Sequence, residues 1–600
     1  MADLPFHDRA DFDNAERGFI AKMTPAVIKA ADGRVVWDND SYDFLQDDCP
    51  ETAHPSLWRQ AQLCAKQGLF EVTDGIYQVR GLDLSNMTLV EGERGVIVID
   101  PLISTECAAA ALRLYRDHRG DRPVTGLIYT HSHADHFGGA RGVTDGTDIP
   151  IIAPAHFMEH AVSENVYAGT AMNRRALYMY GQLLPHSPEG QLGCGLGMGT
   201  SAGTASLIPP TVDITRTGQE ETVDGVRIVF QLTPDTEAPA EMNFFFPDHR
   251  ALCMAENATH NLHNVLTLRG ALVRDTRVWA RYLTEAIALF ADRADVAFAS
   301  HHWPTWGTGN IVTFLTQQRD MYAYLHDQTV RMLNRGMTGN EIAEVMQMPP
   351  ALEQAWHTHG YYGSVSHNVK AVYQRYLGWF DGNPAHLWEH PPVQQARRYV
   401  ECLGGTSAVV ALADRYVKEG DLRFAATLLN HAVFADEGDS TARRLLVQVY
   451  TRMGHGAENA TWRNFYLTAA TELTGRPSPA TTSTTSPDVL SALTAEQIFD
   501  SLAIRVHGPD AWNERFAIDW HLTDLDERHR TTMSNGALIH QSTPPGDGAD
   551  LTLRLTKQRL LALVDGAGAD GIDHDGDMDV LRRLTAVLEE PMPDFPVVTP

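Results

Sequence analysis

The ten residues Thr130-His131-Ser132-His133-Ala134-Asp135-His136-Phe137-Gly138-Gly139 constrain this chain more than any other stretch of its 600 residues. Three histidines and an aspartate fall within six positions. The apolar run Gly126-Leu127-Ile128-Tyr129 precedes them and reads as a short buried strand, so the polar cluster sits where a strand ends and a loop begins. Neutral imidazole and carboxylate are the ligand types for zinc and similar divalent ions. A turn carrying four of them at this spacing can serve two ions side by side, His131 and His133 on one, Asp135 and His136 on the other. The bland alternative is a polar loop rich in histidine. With 27 His in the chain one pair would mean little, but the ordered H-x-H-x-D-H closing on Gly-Gly is hard to reach by chance.

The length exceeds a single hydrophobic core, and two to four domains are expected. A formal net charge of −28 argues against a nucleic-acid partner or an anionic membrane surface, and an anionic substrate would need a local positive trap. The six cysteines show no framework spacing and no CxxC, which favours buried free thiols over disulfides. The N-terminus lacks a basic, then apolar, leader, and no apolar run approaches membrane-spanning length. No membrane insertion and a cytoplasmic location are the expectations, with export open if a leader has been trimmed.

Residues 1–70 carry helix-like stretches at Asp11–Lys22 and Trp58–Cys64 and read as an N-terminal wrap. Alternation then predicts strands at Gly75–Val79, Met87–Val90 and Gly95–Asp100, the last two joined by Gly92-Glu93-Arg94-Gly95, and a helix over Ala108–Asp117. Between Ile151 and Thr211 lies an insert containing Arg174–Gly181 and the glycine-rich Gly193–Gly199. No strand precedes its G-x-G-x-G and no helix with an acidic partner follows, so a nucleotide loop is not expected. A flexible flap shaping a substrate channel is expected instead, with Tyr178 and Tyr180 lining it or packing in the core. Asp275–Ala291 reads as an amphipathic helix and Asp295–Ser300 as a strand leading into His301. From Thr313 to Leu473 the chain is helical, without a sustained repeat. Pro477–Pro487 is the clearest linker. Beyond it Phe516, Ile518, Trp520 and Leu522 alternate, as do Leu551, Leu553 and Leu555, and Asp573–Asp577 reads as an exposed acidic turn.

Thr130–Gly139 resembles the signature loop of the metallo-β-lactamase superfamily, dinuclear hydrolases with an αβ/βα sandwich. Thr233–Glu241, Cys253–Asn257, Asn264–Gly270 and Ser300–Pro304 resemble the alkyl sulfatase branch of that superfamily. Tyr361–Asn368 to Trp379–Pro384 is similar to that family's dimerisation domain, and the last domain resembles its sterol-carrier-like domain. The resemblance implies an α/β catalytic domain at 71–312, an all-helical dimerisation domain at 313–474, a linker at 475–487 and an α+β sterol-carrier-like domain at 488–600. It implies a homodimer acting on an alkyl sulfate with two zinc ions per chain.

In the superfamily the later ligands are a His, a bridging Asp and a last His, and here the corresponding places carry Glu237, Glu256 and His301. The resemblance makes Glu256 the bridge, with Glu237 completing the first ion and His301 the second. Two divalent ions give +4; Asp135, Glu237, Glu256 and a hydroxide give −4, so the core is near neutral. Arg269, with Asn264 beside it, is expected to bind the sulfate. A metal-bound hydroxide would attack the ester. His260, His263 and His302 are candidates for proton delivery, His263 first. Attack at sulfur and attack at carbon both remain open. So do two rival readings, a lactone or phosphoester hydrolase of the same superfamily and a non-catalytic dimeric lipid-binding protein with a structural metal site.

Overall fold

The computed structural model describes residues 4–475, 486–542 and 548–600. The chain divides into two units, one of residues 1–157, 172–482 and 594–600, the other of residues 158–171 and 483–593.

The larger unit is built on two sheets. The first has eight strands in the order Phe19–Ala21, Gly68–Thr73, Ile76–Arg80, Met87–Glu91, Val96–Ile99, Val124–Ile128, Ile151–Pro154, Val212–Ile214. Pairing is antiparallel up to Val96–Ile99 and parallel from there on. A parallel pair needs a crossover, and the helix Thr105–Arg119 supplies the first one. The second sheet runs Glu220–Val223, Val226–Leu232, Met242–Phe246, Ala251–Cys253, Val296–Phe298, Thr305–Trp306. Between the sheets Ile76, Val90, Ile97, Ile99, Ile128 and Ile152 pack against Ile228, Phe230, Phe244, Phe246 and Phe298 in one core. The outer face of the second sheet, with Phe245 and Leu252, is covered by helices Thr276–Phe290 and Thr308–Leu333. On the first sheet Tyr115 of the crossover helix lies 5.8 Å from Tyr77, ring to ring. With both faces covered, Val96-Ile97-Val98-Ile99 is buried throughout. This is the αβ/βα sandwich expected from the motif, and the metal-loop residues emerge at the end of Val124–Ile128.

The expected boundary at residue 312 falls inside the helix Thr308–Leu333, which shares a core with Thr276–Phe290. Residues 1–70 are more than a wrap, since Phe19–Ala21 and Gly68–Thr73 are strands of the first sheet, and the helix predicted over Asp11–Lys22 stops at Glu16. The glycine-rich Gly193–Gly199, expected as a flexible flap shaping a substrate channel, is buried throughout. A Cβ on Gly195 would lie 2.3 Å from Tyr361 O, and one on Gly197 would lie 2.3 Å from Leu84 O, so glycine is there for close backbone approach. All six cysteines are free, with Cys107, Cys194 and Cys253 buried and Cys49 and Cys402 exposed.

Helices from Pro392–Cys402 to Ala460–Leu473 enclose their own core of Val409, Ala413, Ala425, Leu429, Ala432, Leu446 and Val449. The predicted linker Pro477–Pro487 lies, but for its last two residues, outside the described residues. In the smaller unit a five-stranded sheet runs Ala537–Ser542, Glu527–Ser534, Phe516–Leu522, Leu551–Leu555, Asp573–Gly576. The predicted acidic turn is therefore an edge strand, paired with Leu551–Arg554. Phe516, Ile518, Trp520, Leu522, Leu551, Leu553 and Leu555 are buried, and Phe499 of the helix Ala495–Ile504 lies 5.5 Å from Trp520. Their alternation builds the unit's own core. Among the described residues no helix is long and apolar enough to cross a membrane.

Candidate metal centre

Seven residues meet in two groups that share one member: His131, His133, Glu237 and Glu256 in the first, Asp135, His136, Glu256 and His301 in the second. Each comes from a segment that has just left a strand. His131 to His136 follow Val124–Ile128, Glu237 follows Val226–Leu232, Glu256 follows Ala251–Cys253, and His301 follows Val296–Phe298. Glu256 Oε2 lies 3.3 Å from His131 Nε2, 3.2 Å from His136 Nε2 and 3.2 Å from His301 Nε2. Glu237 Oε2 lies 2.9 Å from His133 Nδ1 and 3.3 Å from His131 Nε2, and Asp135 Oδ2 lies 3.1 Å from His136 Nε2 and 3.5 Å from His301 Nε2. Ligands roughly 2.1 Å from a tetrahedral ion lie about 3.4 Å apart, so these separations match the edges of such a coordination shell.

The rings are aimed by partners on their far side. His136 Nδ1 donates to Asp100 Oδ2 at 2.9 Å, and His301 Nδ1 donates to Leu84 O at 3.1 Å. His131 Nδ1 lies 2.9 Å from Thr130 Oγ1, which itself donates to Asp100 Oδ2 at 2.7 Å. Such contacts fix the tautomer that presents Nε2 to an ion. On the near side, His131 Nε2, His136 Nε2, His301 Nε2 and Glu237 Oε2 are buried and find no hydrogen-bond partner outside the cluster itself among the described residues. A folded chain seldom leaves four such atoms together.

Charge points the same way. Burial alone would raise the Glu237 carboxyl, but the Arg274 guanidinium and His133 outweigh it and hold it below the usual carboxylate range. Burial would lower the His136 ring, yet Asp135 and Asp100 raise it well above the usual imidazole range. Burial and the charge of Glu237 push Glu241 up to about 8. A pocket with more carboxylate charge than its own cations neutralise has the chemistry of a divalent-cation site. The donor set of imidazoles and carboxylates fits zinc-type ions.

Of the remaining sequence-predicted residues, His263 places Nε2 2.8 Å from Glu256 Oε1 and Nδ1 3.0 Å from Asn264 O. Asn264 Oδ1 accepts from Arg274 Nη1, while its buried Nδ2 has no partner among the described residues. Arg269 is half-buried on the following loop, its Nη1 3.1 Å from Gly270 O and 3.8 Å from Met172 Sδ. His302 lies away from the cluster, with Nδ1 accepting from His260 N at 2.9 Å and Nε2 donating to Gly195 O at 3.0 Å. The His260 ring stacks between Trp303 and Phe314 at 4.6 and 4.8 Å.

Four residues escaped the sequence reading. Asp100 takes hydrogen bonds from the Thr130 amide and hydroxyl, His136 and Ser300; its one signal was an acid closing the apolar run Val96–Ile99. Arg274 reaches Glu237 Oε1 and O and Asn264 Oδ1, and its Nη1 lies 2.8 Å from Asn264 O. Asn368, from the helix Val365–Leu377, donates to His263 O and accepts from Val265 N, both at 2.9 Å. Tyr362 packs its ring 4.9 Å from that of His263. Asn368 and Tyr362 are brought in from distant chain, and Arg274 by a reversal ten residues after Asn264.

Three family models match the chain: metallo-beta-lactamase superfamily over residues 80–301, alkyl sulfatase dimerisation over 338–476 and alkyl sulfatase C-terminal over 483–600. A linear primary-alkylsulfatase of Pseudomonas sp. is 46% identical, covering 100% of this chain and 91% of its own length. An alkyl/aryl-sulfatase of Saccharomyces cerevisiae is 45% identical, with 100% and 94% covered. The solved structure of a stereoselective inverting sec-alkylsulfatase from Pseudomonas sp. superposes with a TM-score of 0.97 at 42% identity, covering 100% of this chain and 96% of that one. The sandwich, the paired ligand groups and these full-length likenesses agree, and the chain belongs to the alkylsulfatase family of the metallo-β-lactamase superfamily.

Proposed function

We propose that this protein hydrolyses alkyl sulfate esters to alcohol and inorganic sulfate at a site holding two zinc ions, one on His131, His133 and Glu237, the other on Asp135, His136 and His301, with Glu256 shared. The observation that carries the reading is the placement of Glu256 Oε2 within 3.3 Å of three imidazole nitrogens whose other neighbours are the carboxylates of Glu237 and Asp135. The ions would supply Lewis acidity, lower the pKa of water and offset the charge of the sulfate. Asn264 offers an unengaged amide donor, and Arg269 on the adjoining loop offers a guanidinium whose planar fork suits a tetrahedral oxyanion. His263 is the proton donor or acceptor on this reading, since its Nε2 stands 2.8 Å from Glu256 Oε1, whereas His260 is stacked between aromatic rings and His302 is turned away to the His260 amide and Gly195 O. A homodimer is supported by the dimerisation-family segment, which exposes Trp379, Leu387 and Trp388 at 75%, 59% and 97%.

Elemental analysis alongside dodecyl sulfate hydrolysis tests the reading. Two zinc ions per chain are expected, with activity lost to a chelator and restored by zinc, and with phosphate and lactone esters turned over far more slowly. Full activity with one ion or none overturns the two-ion site. Arg269→Ala should lower kcat/KM by roughly 10²–10³-fold, the scale of a lost oxyanion contact, at unchanged metal content. Normal turnover by that variant would place the sulfate elsewhere.

A further inference from the structure

Glu241 belongs to none of the ligand groups, yet it touches every segment of the first one. Its side chain is fully buried. Oε2 accepts from Thr236 Oγ1 at 2.8 Å, from the Glu237 amide at 3.1 Å and from the Ala238 amide at 3.2 Å. Oε1 accepts from the Glu256 amide at 3.1 Å. Its backbone forms an isolated antiparallel bridge with His131, flanked by Thr233 N to Glu241 O at 2.9 Å and Met242 N to Thr130 O at 3.0 Å. One carboxylate thus spans the two loops that carry the glutamates, from a backbone position fixed against the histidine loop.

Both loops need restraint. Asp235, two residues before Glu237, has φ +63°, and Ala255, directly before Glu256, has φ +49°. These are left-handed conformations that residues with a Cβ avoid, and they persist only where the surroundings hold them. Four hydrogen bonds converge on the one buried side chain of Glu241, three of them from backbone amides of the two loops. No other side chain among the described residues accepts hydrogen bonds from both the Glu237 and the Glu256 amides.

We infer that Glu241 is a positioning residue that sets the separation of Glu237 and Glu256 and thereby the affinity of both ions, an inference that rests on the two-ion reading above. A glutamine at this position would keep one acceptor oxygen and turn an NH2 group towards an N–H of the other loop, so the grip on one glutamate is lost while the volume is kept.

The test is chelator titration of full-length wild type and Glu241→Gln, with bound metal read by elemental analysis. The variant should release its ions at roughly 10- to 100-fold lower chelator concentration, the usual effect of removing a partner behind the ligands. Its turnover of dodecyl sulfate should recover as zinc is raised, which a general folding defect would not do. Should that variant prove insoluble, Thr236→Val, which removes one hydroxyl donor to the same carboxylate, should shift release in the same direction by a smaller factor. Wild type holding two ions while both variants hold them equally tightly overturns the role of Glu241 alone. Wild type holding no ion overturns the two-ion reading, and this inference with it.

Discussion

Glu256→Ala should lose both ions and lower alkyl sulfate hydrolysis by on the order of 10³-fold or more, because the group it removes is the one common to both halves of the site. Its Oε2 stands 3.2–3.3 Å from three imidazole nitrogens drawn from two loops, and its Oε1 stands 2.8 Å from His263 Nε2. Without it each group keeps three of its four members, and the proposed proton-handling histidine loses its hydrogen bond to the centre, keeping only Glu237 Oε1 at 3.7 Å. His133→Ala is the contrast. His133 belongs to the first group alone, so that variant should keep one ion and bind the second weakly. Elemental analysis and turnover of dodecyl sulfate, measured on the same preparations, separate the two outcomes. Two ions and normal turnover in Glu256→Ala would show that the halves are independent sites.

The parts of this centre legible in the sequence are those whose logic is local. His131 to His136 declare themselves because four ligand types crowd one turn after a buried strand. Glu237, Glu256 and His301 carry no such signal alone, since a glutamate in a loop is ordinarily solvated; only the ordered segments that resemble a family single them out. Arg274 stayed hidden because its relation to Asn264 depends on a reversal closed by Arg274 N to Val265 O at 3.0 Å, which periodicity does not foretell. Asn368 reaches the same loop from more than 100 positions away. Elsewhere, the glycines of Gly193–Gly199 suggest flexibility, where the packing uses them for closeness against Tyr361 and Leu84. The alternating apolar positions of the last domain would suit a ligand-lining sheet or a packed one, and here they are buried, with Trp520 against Phe499 of the helix Ala495–Ile504. In both cases the residue type was compatible with two environments, and only the tertiary partner decides between them.

The same dependence on tertiary partners makes Arg274 the second large effect. Arg274 is 8% exposed, and Glu237, which it contacts, is 2% exposed. The guanidinium holds Glu237 by its carboxylate and its carbonyl, and holds Asn264 by its amide oxygen and its carbonyl, with His263 Nδ1 at 3.3 Å from Nη1. A single cation therefore ties a ligand loop to the loop proposed to bind sulfate. Arg274→Met would keep the volume and leave a buried carboxylate without its partner, a change that costs about 3–5 kcal/mol in buried ion pairs. The variant should unfold at lower temperature, bind metal more weakly and lose roughly 10²-fold or more in kcat/KM, consistent with a loss of that size. Arg274→Lys should recover part of the stability and little of the activity, since an ammonium restores the charge but not four directed bonds. Arg269→Ala is expected to differ in kind, leaving stability and metal content intact while turnover falls. Thermal unfolding, metal content and kcat/KM measured on the three variants distinguish a residue that builds the site from one that meets the substrate. Wild-type stability and turnover in Arg274→Met would show that the Glu237 loop is held without it.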